Sequence, residues 1–552
     1  MPLKTLFYRH FLVAQCLVPP YVPVAFTSDQ EVIRQAFITR VGSPNPDPVL
    51  ATLGRADLFL RLLTAKMLRG IPAPVPFTIP EYCASTDSLR KHRFLELVDP
   101  DPFSFFYRDT YYDPIRRIVV PVKAMANNFM VKSDEVQVGH RAFSHHSDFK
   151  EVQPRAITVP SDEYTLYLSL WLAPLVLLIK QRLIDKWPMF AMAAGMSSLD
   201  LGSWYTQHRR RYGAQGDQSK CDKHMVELLL RSLSQFIYDE FAWPDWVAGI
   251  LNSFLSAEIR TELDGERVSY DLIGQILSGT PETSVFTTWI IMSMTLFAVV
   301  EAKFPTWDAS TFDGAFDWLV DHVSYAGMGD DGLLFMDDPL PPSIPQTFLE
   351  CGYEMKFTAL EQELDLKFCS GIFFRASELI TYQSGYYNCE RTSYFFHATA
   401  PDRAYIKLAY LLVGKYDRLY RDITNAVEMG SLPPAVDRQL LGFLKLKVRS
   451  YRFTLGRLPG FDLLFEFLYR QTKDAHFTDR DLALHARGQV YNFLGVDIPI
   501  VVDEQYYHAL MYRHYGITYQ DVLDFKSAVS NLVTLRCYFV SEFTNKLLLV
   551  NC

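Results

Sequence analysis

The sequence predicts an α+β protein of two or three lobes, and three observations point to that class. The middle of the chain, about residues 121 to 375, mixes β-like stretches with helical ones. Within it, Tyr325-Ala-Gly-Met-Gly-Asp-Asp-Gly-Leu-Leu-Phe335 reads as two apolar runs joined by a Gly-flanked acidic turn, as in a β-hairpin. The remainder is mostly helical: residues 403–427 and 435–448 carry apolar side chains at three-to-four spacing with charges between. At 552 residues the chain can bury a large core.

Composition narrows the function classes. Nearly half of the residues, 49%, are hydrophobic and 21% are charged, as in ordinary globular proteins. The net charge of −9 argues against a surface coated in basic patches that grips duplex nucleic acid, while leaving room for a basic channel inside an acidic shell. Local basic clusters occur at Arg209-Arg210-Arg211 and at Lys445, Lys447, Arg449 and Arg452. The 8 cysteines form no C-x-x-C pair, so neither a disulfide framework nor a cysteine zinc site is expected, and a reducing cytoplasm suits them. Arg9 and His10 break the N-terminal apolar stretch, which makes it a poor signal peptide. The apolar runs 167–179 and 285–300 fall short of the roughly 20 residues that span a bilayer, and no transmembrane segment is expected.

Along the chain, residues 1–120 alternate helical patterns with Pro-rich breaks and carry no evident chemistry. The chemistry lies in five stretches between 128 and 371. In Asn128-Phe-Met-Val-Lys-Ser-Asp-Glu135 and Val152-Gln-Pro-Arg-Ala-Ile157, Lys132 and Arg155 supply cations suited to a triphosphate. In Gly216-Asp-Gln-Ser-Lys-Cys-Asp222, Asp217 ends a strand and Asp222 stands just past it, where a carboxylate can accept a bond from a ribose 2′-OH. Leu277-Ser-Gly-Thr-Pro-Glu-Thr283 makes a flexible loop, with Thr283 or Ser284 placed to cap an apolar helix running to about Val300. Asp330 and Asp331 occupy the acidic turn. Cys351-Gly-Tyr-Glu-Met-Lys356 offers Lys356 as a proton donor to a leaving group, and Leu366-Lys-Phe-Cys-Ser-Gly371 follows. Carboxylates converging from separate segments suit Mg²⁺, which takes hard oxygen ligands and keeps substrate phosphates and waters.

This ordered set resembles the palm-domain motifs of viral RNA-dependent RNA polymerases of positive-strand RNA viruses. Phe129-Met-Val-Lys-Ser-Asp-Glu with Pro154-Arg-Ala-Ile is similar to the fingers motif, and Asp217-x4-Asp222 to the first palm motif. Ser278-Gly-x3-Thr283 is similar to the second, Gly329-Asp-Asp to the third, Gly352-Tyr-Glu-Met-Lys356 to the fourth, and Lys367-Phe-Cys-Ser370 to the primer grip. The wording leans toward tombusvirus-like and nodavirus-like enzymes. The likeness covers about residues 128 to 372.

The resemblance implies a right-hand fold: an N-terminal extension and part of the fingers in 1–120, fingers and palm with an antiparallel palm sheet in 121–375, and a helical thumb in 376–552. It implies RNA-templated RNA synthesis by two-metal nucleotidyl transfer. Asp217, Asp330 and Asp331 would be the ligands of two Mg²⁺ ions, with Mn²⁺ able to substitute, and Lys356 the general acid. Lys132, Arg155, Lys220, Asp222, Ser278, Gly279, Thr283 and Thr287 would bind the NTP. The implied partners are template and product RNA, NTPs and other viral replication proteins. The implied location is the host cytoplasm, including membrane-associated replication sites, or the virion. At residue 287 the family usually carries Asn, which orients the second acid of the first motif; Thr has one hydroxyl and no amide, which bears on sugar selection.

Other readings compete. Gly327-Met-Gly-Asp-Asp-Gly332 formally fits G-x-G-x-x-G, but no long helix can follow through Pro339, Pro341 and Pro342, so a dinucleotide fold is rejected. His140, His145, His146 and Asp148 read as loop residues rather than a metal site. A catalytically silent, polymerase-shaped RNA-binding or virion-associated protein is the alternative from another class, and a reverse transcriptase is a further one.

Overall fold

The computed structural model describes residues 6–8, 22–24, 30–38, 46–85, 94–95, 110–115, 117–121, 125–131, 156–218, 225–255, 257–263, 265–272, 274–386, 389–409, 434–452, 454–476, 500–535 and 541–549. It is a mixed α/β structure with several sheets. Two small hairpins pair β1 (Leu6–Tyr8) with β2 (Val22–Val24) and β3 (Thr110–Asp113) with β4 (Ile118–Pro121). A four-stranded sheet joins β5 (Met125–Val131) and β6 (Ala156–Val159) to β9 (Ala257–Leu263) and β10 (Glu266–Leu272), in the order β10-β9-β5-β6.

The central sheet has five strands. They are β7 (Phe190–Met192), β8 (Tyr212–Gln218), β11 (Val323–Met328), β12 (Asp331–Met336) and β13 (Met355–Ala359), in the order β13-β8-β12-β11-β7. Its pairings are antiparallel except at one edge, where β7 runs parallel to β11. Strand alternation gives this sheet two covered faces. Tyr325, Leu334 and Met336 belong to the largest core, shared with the helices Leu50–Leu68, Asp162–Lys186, Glu227–Phe241 and Thr283–Lys303. Ala326, Leu333 and Phe335 pack on the other face with Trp204, Tyr205, Phe368, Phe373 and Phe395.

The helix Thr283–Lys303 is apolar all round and therefore buried, every residue from Phe286 to Val300 being enclosed. Its Ser293 and Thr295 hydroxyls donate to the carbonyls of Trp289 and Ile291, both at 2.8 Å, which removes the cost of burying them. Two helices, Asp162–Lys186 and Thr283–Lys303, are long and apolar enough to cross a membrane; 44% and 89% of their apolar windows are buried inside the fold.

Past the central sheet, β14 (Lys367–Phe368), β15 (Gly371–Gln383) and β16 (Glu390–Thr399) form a three-stranded sheet in that order. The segment expected to be mostly helical from 376 thus begins with a long hairpin. Helices follow, among them Pro401–Ala409, Pro434–Arg452, Phe461–Thr472, Glu504–Tyr515 and Tyr519–Ser530. They build a second core with Ile372, Phe374 and Phe396 from the hairpin.

Candidate active site

The acidic turn is a two-residue hairpin. Met328 pairs with Asp331, which leaves Gly329 and Asp330 as the loop. Gly329 has φ +66 and Asp330 is not in the left-handed region, the pattern of a turn with Gly first. The neighbouring glycines have a packing reason. A Cβ on Gly332 would lie 2.6 Å from the Tyr325 hydroxyl, and one on Gly327 2.8 Å from the Tyr325 ring. The Tyr325 ring lies beneath both strands, so the three glycines serve the hairpin, and β12 continues where a dinucleotide fold needs a helix.

Registry then assembles the chemistry. Asp331 on β12 stands opposite Asp217 on β8, and Asp217 stands opposite Lys356 on β13. Directly opposed residues share a face, with Cβ atoms about 4.5–5.5 Å apart, so Lys356, Asp217 and Asp331 form one transverse row. Asp330 adjoins the row at the turn, where its carbonyl accepts from the Gln218 N–H at 3.3 Å. Asp217 and Lys356 are exposed, Asp330 and Asp331 half-buried. Among the described residues, neither Asp217 nor Lys356 has its side chain in an ion pair.

The Ser-Gly loop is fixed from the other side. Ser278 Oγ accepts from the Thr158 N–H of β6 at 3.2 Å. A Cβ on Gly279 would meet the Thr158 carbonyl at 1.7 Å, so only glycine allows this approach. Arg155 immediately precedes β6 in sequence. Thr283 neither caps the helix nor does Ser284; the N-cap is Glu282 with no side-chain cap bond, and the Thr283 hydroxyl donates to the Leu277 carbonyl instead. Five residues on, roughly 7 Å along the axis, the helix meets the acidic turn. There Thr288 Oγ1 accepts from the Gly329 N–H at 2.8 Å and donates to the Ser284 carbonyl at 2.6 Å. Thr287 beside it is buried, and its hydroxyl has no hydrogen-bond partner among the described residues.

Two contacts at the site carry no sequence signal. Thr288, rather than Thr287, touches the turn. Cys369 is a neighbour of Asp331: burial first, then the negative charge of Asp331 and, less, of Asp330, push the thiol far above its ordinary value. Cys369 and Ser370 both adopt left-handed φ, 49 and 59, in the turn between β14 and β15. Non-glycine residues there cost about 1–2 kcal/mol each, and only the surrounding packing holds them.

Lys132, Arg155, Lys220 and Asp222 lie outside the described residues, as do His140, His145, His146 and Asp148. Several residues of the basic clusters have structural partners. Arg210 pairs with Asp337 at 2.7 Å and donates to the Asp321 carbonyl, and Arg209 pairs with Glu363. Lys445 donates to the carbonyls of Lys473 and Ala475, and Arg452 covers the Tyr469 ring at 4.3 Å. Among the described residues, no three His, Cys, Asp or Glu side chains are grouped as a metal-holding set. That is the arrangement for a closed all-protein metal cage; Mg²⁺ in nucleotidyl-transfer sites takes one or two carboxylates and completes its shell from substrate and water. The opposed pair Asp217 and Asp331 fits the latter. No protein-family model matches the chain, and no curated protein matches it.

Proposed function

We propose that the protein is an RNA-directed RNA polymerase with a right-hand fold, in which β7, β8, β11, β12 and β13 are the palm sheet. The observation that carries this reading is the single row of Lys356, Asp217 and Asp331, drawn from three separate segments and flanked by Asp330. Two carboxylates facing each other across a strand pair repel, so such a pair is favoured where a cation comes between them.

Asp217, Asp330 and Asp331 would hold the divalent ions. When bound, these ions would activate a 3′-hydroxyl and neutralise charge on the phosphates of the incoming nucleotide. Lys356 stands at the far end of the row and would give a proton to departing pyrophosphate. Thr288 ties the acidic turn to the helix that starts at the Ser278–Thr283 loop, so nucleotide contacts at that loop and the acids move as one body. Cys369 adjoins Asp331 and would help to fix where that carboxylate sits. Lys132, Arg155, Lys220 and Asp222 complete the proposal from sequence alone, as cations for the triphosphate and an acceptor for the ribose. Template and product RNA, NTPs and other viral replication proteins are the proposed partners, in the host cytoplasm, at replication membranes or in virions.

The test is template-directed synthesis. Purified protein, given an RNA template, labelled NTPs and Mg²⁺ or Mn²⁺, should make complementary RNA, and Asp330→Asn should abolish synthesis with the fold intact. Extension by Asp330→Asn at the wild-type rate would refute the assignment. A catalytically silent RNA-binding or virion-associated protein is the alternative reading. It predicts no stabilisation by NTP with Mg²⁺.

A further inference from the structure

A second site lies at the opposite edge of the central sheet from Lys356. Between helix Asp162–Lys186, edge strand β7, helix Ser198–His208 and the tip of the β15–β16 hairpin is a cavity of about 260 Å³. Its polar and aromatic lining includes Lys180, Trp204, His208, Tyr386, Glu390 and Arg391; the rest is chiefly apolar. The Lys180 side chain is buried, an uncommon state for lysine, and its ammonium donates to the Ala194 carbonyl. Lys180 Nζ lies 5.7 Å and Arg391 Cζ 6.0 Å from the centre of the Tyr386 ring, so two cations share one aromatic wall. Trp204 and His208 pack at a tilt on another side, ring centres 5.9 Å apart.

The carboxylates at this cavity do not reach Lys180. Arg391 faces Asp200 at 3.8 Å, and that carboxylate already accepts from Ser197, Tyr382 and Ser384. Glu390 is exposed, at the rim. No carboxylate among the described residues pairs with Lys180. Burying an ammonium without a counter-charge is costly, and an anion in the cavity would offset that cost.

We propose that this cavity binds a small organic anion, a phosphate or carboxylate on a compact apolar or aromatic body, with Lys180 and Arg391 holding the charged group and Trp204 and Tyr386 flanking the body. The cavity is slightly below the usual size of drug-like sites, which sets the body at about one ring. Its lining draws on the first core through Leu183, Phe190 and Met192 and on the cluster of Met196 and Trp204, against which Tyr386 packs, so the ligand would bridge the two. The inference stands apart from the polymerase reading, since none of its residues belongs to the acidic row.

The test uses pyridoxal 5′-phosphate, which carries a ring, a phosphate and an aldehyde that condenses with an amine to an imine and water. Burial lowers Lys180 to about 8, so near pH 8 it supplies free amine more readily than surface lysines. After borohydride trapping and peptide mapping of the full chain, Lys180 should be the first lysine labelled. Phenyl phosphate or benzoate should protect it, and the better protector identifies the preferred headgroup. Arg391→Gln should lower labelling of Lys180 by about tenfold or more if one cation's hold is lost. Labelling spread over surface lysines with Lys180 spared, or no protection by either anion, would overturn the proposal. These two arms use wild-type protein and decide the matter even if the variant fails to fold.

Discussion

Asp217 and Asp331 stand directly opposite one another on neighbouring antiparallel strands, although 113 residues separate them in the chain. Their opposition is a liability for folding and an asset for holding a cation, and that conflict organises the predictions about the site.

Lys356 tests the chemistry of the row. It shares the face of Asp217 and is exposed, so its replacement by alanine should leave the fold unchanged. As a general acid its loss should lower kcat by about 10²–10⁴-fold with KM for NTP nearly constant, measured by single-nucleotide incorporation. A change confined to KM would remove the acid role.

The packing of the hairpin makes a prediction independent of function. Gly332→Ala places a methyl 2.6 Å from the Tyr325 hydroxyl and should destabilise by about 1–3 kcal/mol in urea unfolding. Tyr325→Phe removes that hydroxyl, so the double variant should recover part of the loss. Additive losses would place the strain elsewhere.

Glu282 gives a pH dependence. It is fully buried at the start of helix Thr283–Lys303, where Tyr164 donates to it at 2.9 Å, and burial raises it to about 7. A carboxyl raised on folding binds its proton more tightly in the native state. The stability it contributes is present below the unfolded value near 4.5 and is lost as pH rises through about 7. Glu282→Gln should therefore remove part of the decline in stability between pH 5 and pH 8, on the order of 3 kcal/mol at most. Parallel wild-type and variant curves over that range would contradict it.

The turn Cys369-Ser370 predicts a trade of activity for stability. Asn-Gly suits two successive left-handed residues, so the paired substitution should stabilise by about 1–2 kcal/mol in thermal or urea unfolding. It also removes the thiol beside Asp331, so under the proposed function RNA synthesis should fall. Unchanged synthesis would leave Cys369 with no positioning role.

What the sequence made legible was local. The Gly-Asp-Asp turn and the apolar helix after the Ser-Gly loop are set by neighbours in the chain, and both are present. Asp217 near the end of a strand was also readable. The insertion of β8 between β12 and β13 was not, because strand pairing across more than 100 residues leaves no periodic trace. The Thr288 contact escaped notice because two adjacent threonines differ only in helical phase. Cys369 escaped because nothing in Phe-Cys-Ser signals left-handed φ. Of the Arg209-Arg210-Arg211 cluster, Arg209 and Arg210 are spent on Glu363 and Asp337, partners that only the fold supplies.

The most direct measurement is equilibrium Mn²⁺ binding, followed by electron paramagnetic resonance with and without NTP, for wild type, Asp217→Asn and Asp331→Asn. If the opposed carboxylates share a divalent ion, wild type binds Mn²⁺ more tightly with NTP present, and each variant loses affinity by about tenfold or more. In metal-free buffer each variant should be as stable as wild type or up to about 1 kcal/mol more so, because a like-charge pair is gone. Equal Mn²⁺ affinity in all three proteins would contradict the account.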